Sequence, residues 1–234
     1  VIPIRDMNPT RRRPVVTWML IAANVAVWLY QVSLGPAMLV FVERWGVVPY
    51  YLTQDPHAGS YLTPLTSMFM HGGWLHLIGN MWFLHVFGDN IEDQLGRARF
   101  VIFYVVSGLG AVALQVLIDP ESRVPMVGAS GAIAGVLGGY MMLFPRARVL
   151  TLVPIVIFIQ FMELPAFLFL FVWFGLQLVS GLFSLGASGA DVGGVAFFAH
   201  IGGFLVGLVL VRLLRLPPDE RGPIEPVLRR PYAR

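Results

Sequence analysis

The sequence predicts an all-α polytopic membrane protein: six transmembrane helices in a bundle, with a short fourth span that starts inside the bilayer. Three observations predict it. The 234 residues are 57% hydrophobic and 12% charged, about half the charged share of an ordinary globular domain. The mean hydropathy is +0.74, and the apolar residues fall in the long uninterrupted runs that membrane spans require. The basic residues, all of them arginine, sort strongly to one side of those runs. Cysteine is absent, which excludes disulfides, zinc–thiolate sites and thiol nucleophiles.

The spans are read at 14–34, 74–91, 100–118, 130–144, 166–184 and 196–214. The first follows Arg11–Arg13, and its apolar stretch of about twenty residues has no small-residue cleavage site after it, so it reads as a retained span rather than a leader. The loop 35–73 is rich in aromatics (Trp45, Tyr50, Tyr51, Tyr61), which suits interfacial half-helices. The third span carries no charge over residues 100–118. The fourth is only about 22 Å of helix. Val149–Met162 is apolar but too short to cross, and Pro154, Glu163 and Pro165 interrupt or flank it. It reads as a re-entrant or interfacial lead into the fifth span. Residues 1–13 and 217–234 read as cytoplasmic tails around a membrane domain at 14–216, the second rich in Pro and Arg. No internal repeat is visible, which argues against an inverted-repeat transporter.

Orientation follows from arginine. With six spans and a cytoplasmic N-terminus, fourteen arginines lie inside and only Arg44 and Arg123 outside, a strong positive-inside bias. A seventh span at Val149–Met162 would even the count to eight against eight. The basic pI near 9.6 is thereby a consequence of membrane orientation, and nucleic acid is not an expected partner.

Polar groups inside spans are costly and are functional candidates by default. His76 and Asn80 stand at i, i+4 on one face of the second span. Ser130 opens the fourth span in GASGAIAGVLGG, and His200 lies in the sixth in FFAHIGGFLVG. Counting at about 1.5 Å per residue from Glu92, Arg146 and Arg212, the three groups lie roughly 18–24 Å from the inner end of their helices. They share one layer, nearer the outer face. Gly131, Gly135 and Gly139, and likewise Ala199, Gly203 and Gly207, repeat every fourth residue. Small residues at that spacing let helices approach closely in lipid, close enough for Ser130 Oγ to meet a ring nitrogen of His200.

Each feature alone has a plainer reading. Gly128–Gly131 is equally a packing motif, His200 a buried imidazole bonded to a carbonyl, and His76 with Asn80 a bridge to the first loop. His71 and His76 suggest a metal, but no carboxylate joins them at that depth, and no metal or cofactor is expected. His85 reads as structural. Asp89, Glu92 and Asp93 read as anchors for the following loop through Arg97 or Arg99. The coincidence of depth, small-residue stripes and a Ser/His pair favours a shared site.

FMHGGWLHLIGNMWFLHVFGDNIEDQLG, VGASGAIAGVLGGY and FFAHIGGFLVGL, in this order and spacing, resemble the rhomboid intramembrane serine proteases over about residues 14–212. The resemblance implies Ser130 as nucleophile and His200 as general base, a dyad with no acidic third member. It implies an oxyanion hole of His76, Asn80 and the Ser130 backbone N–H. Gly128 then matches the glycine of the serine loop, Gly131 sits beside the serine, and Gly203 matches the glycine that admits the histidine helix. The fifth span and the loop near 185–195 are implied as gate and cap. Two departures stand out: Ala134 occupies a position that is aromatic in some members, and a first-loop Trp-Arg pair is replaced by Arg44–Trp45, earlier and in reverse order. Asp191 falls in an external loop and is not counted in the site. The expected activity is serine endopeptidase cleavage in or near transmembrane segments of membrane-protein substrates in the lipid bilayer, in a bacterial inner membrane. The competing readings are a catalytically silent rhomboid-like protein that binds membrane clients, and a transporter or channel. The latter lacks a polar route below the His76–Ser130–His200 layer.

Overall fold

The chain is seen in a computed structural model that describes residues 2–57, 59–155, 158–186, 196–217 and 220. In chain order it has strand β1 (Ile2–Asp6), helix α1 (Val15–Ser33), short helices α2 (Met38–Trp45), α3 (Pro49–Thr53) and α4 (Thr63–Thr66), and long helices α5 (Trp74–Leu95) and α6 (Arg97–Ile118). Helix α7 (Ser130–Leu143), strands β2 (Arg148–Ile155) and β3 (Phe158–Pro165), and helices α8 (Ala166–Gly186) and α9 (Phe197–Leu214) follow. Among the described residues, four helices are long and apolar enough to cross a membrane: α1, α6, α8 and α9. The serine-bearing α7 is apolar but has only 14 residues. Helix α5 has 22 residues, and its last turns carry Asp89, Glu92 and Asp93.

Helix α7 is the hub. Every residue from Gly131 to Tyr140 is buried, and α9, α6 and α5 pack around it. Glycine permits this. A Cβ on Gly203 would collide with the Gly131 carbonyl oxygen, one on Gly207 with the Gly135 carbonyl oxygen, and one on Gly138 with the Phe204 carbonyl oxygen. The α7–α9 seam is therefore backbone against backbone. Below it, Phe87, Tyr140, Phe169 and Phe204 fill the core, with Phe87 and Tyr140 edge to face at 4.9 Å between centroids.

The expectation of helix throughout is corrected at the end of the bundle opposite Ser130. Residues Arg148–Ile155 and Phe158–Pro165 are extended and pair as antiparallel strands, with Arg148 opposite Pro165 and Ile155 opposite Phe158. Strand β1 adds to the free edge of β2, with Ile2 opposite Leu152 and Asp6 opposite Val149. Val149, Val153, Ile159 and Phe161 are β-branched or aromatic and suit a pleated surface. Buried Asp6 of β1 accepts from Tyr140 Oη of α7 at 2.9 Å and from Asn90 Nδ2 of α5 at 2.7 Å, which ties the sheet to the bundle.

The acidic end of α5 also differs from expectation. Glu92 and Asp93 do not hold the next loop through Arg97 or Arg99. Glu92 accepts from the backbone N–H groups of Val16 and Thr17 (3.0 and 2.8 Å) and from Thr17 Oγ1 (2.9 Å). Asp93 accepts from the Arg11 and Arg12 N–H groups and pairs with the Arg11 guanidinium at 3.2 Å. A carboxylate at a helix start satisfies orphan donors and complements the dipole, so α5 caps α1. Arg99 instead donates to the Leu214 and Arg215 carbonyls at the end of α9.

At the other end, the chain before Ser130 is pinned by the first loop. Val47 and Met126 exchange backbone hydrogen bonds (3.0 and 2.7 Å), the Tyr50 N–H donates to the Ser122 carbonyl at 3.0 Å, and Arg123 stacks over the Tyr50 ring at 3.8 Å. Thr66 Oγ1 donates to the Trp45 carbonyl at 2.6 Å.

Two substitutions test the seam. Gly203→Val is expected to destabilise the bundle by about 1–3 kcal/mol or more, because the added atoms meet a carbonyl that cannot swing away. Gly175→Ala in α8, where a Cβ meets nothing within 4 Å, is expected to be neutral or stabilising by up to about 1 kcal/mol. Denaturant titration in detergent compares the two.

Candidate active site

Ser130 is the first residue of α7, preceded by Ala129 in a helical conformation. The N–H groups of Ser130, Gly131 and Ala132 precede the first intrahelical bond, from Ile133 N–H to the Ala129 carbonyl at 2.9 Å. The helix therefore opens with free donors and its positive dipole end at the serine. Two residues earlier, Gly128 has φ +135°, a conformation that favours glycine. A Cβ there would also run into the His76 ring at 2.8 Å. Gly128 N–H donates to the Ser67 carbonyl at 2.9 Å. Glycine at 128 thus lets the loop turn beneath His76 and deliver Ser130 to the helix start.

His200 reaches the same point from the first turn of α9. Its Nε2 lies 2.8 Å from Ser130 Oγ. Gly203, one turn on, sits against Gly131, so the seam that joins the helices also sets the distance between hydroxyl and imidazole. On α6, Gln115 Oε1 accepts from the Ala199 N–H at 3.3 Å and caps the helix that carries the histidine.

His76 and Asn80, on one face of α5, line a cavity of about 220 Å³ with Ser130 and His200. The Asn80 side chain is buried, and its Nδ2 has no hydrogen-bond partner among the described residues. A buried amide donor left open in this way is costly unless something else comes to accept from it. His76 Nδ1 accepts from the Gly72 N–H at 3.3 Å, which leaves the other edge of its ring toward Gly128. His71 is fully buried behind it, the two rings edge to face at 5.1 Å. Burial first, then the neighbouring His76, holds His71 down at about 4 and so neutral at physiological pH. Among the described residues no group of three His, Cys, Asp or Glu is spaced to hold a metal.

Two residues of this cavity escaped sequence reasoning. Gln177 Oε1 of α8 lies 2.7 Å from His200 Nδ1. Trp173, one turn earlier, has its ring 6.1 Å from the imidazole centroid. The position four residues after Ser130 is the buried Ala134, and the aromatic neighbour of His200 comes from α8 instead. The available signal was a single amide in a span whose other polar residues are two serines, with a tryptophan at i−4 on the same face. Asp191 and the loop near 185–195 lie outside the described residues.

Known proteins resemble this chain. Residues 58–217 match the Rhomboid domain. "Rhomboid-like protein 11, chloroplastic" of Arabidopsis thaliana is 30% identical over 203 residues, 84% of this chain and 68% of that protein. "Putative rhomboid protease YdcA" of Bacillus subtilis is 36% identical over 56% of this chain and 63% of its own length. "Rhomboid protein 1, mitochondrial" of Saccharomyces cerevisiae is 32% identical over 58% of this chain and 38% of its own length. The alignments thus leave about a third or more of each relative unmatched. These names include plastid and mitochondrial proteins, so they do not single out a bacterial inner membrane. With apolar helices of spanning length and a match over most of its residues, this chain is an integral membrane protein that belongs to the rhomboid family.

Proposed function

We propose that the protein is an intramembrane serine endopeptidase that hydrolyses peptide bonds in or near transmembrane segments of membrane-protein substrates. The observation that carries this reading is the 2.8 Å approach of Ser130 Oγ to His200 Nε2, in a cleft where the buried Asn80 Nδ2 has no partner among the described residues. A neutral serine hydroxyl is a poor nucleophile and needs a base within hydrogen-bond reach. His200 Nε2 takes the proton as Ser130 Oγ attacks the scissile carbonyl, then returns it to the departing amine. Water repeats the sequence on the acyl-enzyme. The tetrahedral oxyanion is held by Asn80 Nδ2, the His76 ring and the Ser130 backbone N–H. Donors aimed at a developing charge in a water-poor site carry much of such a rate enhancement.

In the same reading α1, α5, α6, α7, α8 and α9 are the six spans, with the arginine-rich ends of the helices cytoplasmic and Ser130 nearer the opposite face. The short α7 begins below that face, which lets water reach the serine from outside. The cleft opens between α5 and α8, where a substrate helix enters sideways from lipid. Such a helix must unwind to present an extended peptide, so segments weakened by Gly, Pro or small residues are the expected targets.

Cleavage of a single-span protein in liposomes tests the proposal. Ser130→Ala and His200→Ala are expected to abolish cutting while leaving the folded protein intact. Equal cutting by these variants and the unaltered chain would refute the dyad. An unaltered chain that holds the single-span protein without cutting it would favour client binding instead. Asn80→Ala is expected to lower kcat about 100- to 1000-fold with little change in KM; a change in KM alone would remove Asn80 from the oxyanion hole.

A further inference from the structure

We infer that Gln177 is a positioning residue for His200, supplying from α8 the orienting acceptor that the dyad otherwise lacks; this rests on the protease reading of Ser130 and His200. In the arrangement described, the side-chain oxygen of Gln177 lies 2.7 Å from His200 Nδ1 while His200 Nε2 lies 2.8 Å from Ser130 Oγ. An amide oxygen only accepts, so Nδ1 carries the proton and donates it to Oε1. That leaves a lone pair on Nε2, the tautomer needed to take the serine proton. The ring cannot rotate about its bond to the chain without losing both partners, and Trp173 bounds it on the α8 side. Among the described residues the buried carboxylates Asp6, Asp89, Glu92 and Asp93 are engaged at the other end of the bundle, and Gln177 is the acceptor on Nδ1.

A neutral acceptor has a further consequence here. When His200 holds the serine proton, the oxygen of Gln177 faces a cation and the hydrogen bond becomes charge-assisted. The interaction is thus stronger in the transition state than in the resting enzyme, and its loss falls on kcat. Because the oxygen belongs to α8, which also walls the cleft, the base is set only while α8 lies against α9.

The test uses the full chain in detergent and a small soluble fluorophosphonate, which labels an activated serine without needing a transmembrane substrate. Gln177→Met, matched in length but without an acceptor, is expected to slow labelling of Ser130 and to lower kcat for a single-span substrate by about 10- to 100-fold, with KM changed by less than about twofold. Gln177→Glu, which keeps an acceptor at the same reach, is expected to stay within about threefold of the unaltered chain. Gln177→Asn, whose oxygen is one methylene short, should fall with Met, and it serves if the Met variant does not fold. Nitrogen-15 spectra of the histidines supply a readout that a merely structural role would not move. A hydrogen-bonded Nδ1–H proton of His200 is expected in the unaltered chain and in Gln177→Glu, and is lost in Gln177→Met and Gln177→Asn. Wild-type labelling rates and an unchanged His200 spectrum in Gln177→Met would overturn the inference. If the unaltered chain is not labelled at all, the protease reading fails, and the His200 spectra alone then decide whether Gln177 sets the tautomer.

Discussion

The carbonyl oxygens of Gly131 and Gly135 rest where Cβ atoms of Gly203 and Gly207 would otherwise be. The separation of α7 from α9 is set at those points, because nothing larger than a glycine can stand there and a backbone carbonyl does not rotate aside. Lipid supplies no hydrophobic drive between helices, so close van der Waals contact must do the work. The 2.8 Å between Ser130 Oγ and His200 Nε2 is read out from that seam, as the serine opens one helix and the histidine lies one turn before Gly203 on the other. Other contacts refine it. Gln115 caps α9, Ser67 holds the loop at Gly128, and Gln177 orients the ring.

Polar groups fall into two layers, one at each end of α7. Near Ser130 they leave donors open, as at Asn80 Nδ2. At the far end they are closed on one another: Asp6, Tyr140, Asn90 and Asn8 form one hydrogen-bonded group, and Glu92 and Asp93 hold the start of α1. A satisfied buried network rigidifies, whereas an unsatisfied one awaits a ligand. Tyr140 thus anchors α7 ten residues below its reactive end.

Much of this was legible in the residues. The four longest apolar helices could be read from composition, and the common depth of His76, Ser130 and His200 from counting along each helix. What escaped notice depended on partners distant in sequence. Strand β2 is apolar at nearly every position, so no alternation separates it from a short helix, and its edge partner lies at residues 2–6. The acidic end of α5 has arginines nearby in the chain, at 97 and 99, but the fold brings Arg11 and the start of α1 to it instead. Gln177 was within reach of the same arithmetic: eleven residues into α8, it lies about 17 Å along the helix, level with the other three. Its amide carries no charge and belongs to no motif, so counting along the span does not by itself single it out.

The seam between α7 and α9 divides the surface of each helix into two regimes of evolutionary freedom. On the inward stripe a methyl added at Gly203 or Gly207 meets a backbone carbonyl, so change there is strongly disfavoured. The outward face of α9, with Leu205, Val209 and Leu213 exposed, carries no such constraint and is free to drift among apolar residues. A lineage moving between membranes of different thickness or fluidity can therefore retune that lipid-facing coat while the geometry of the buried pair stays untouched.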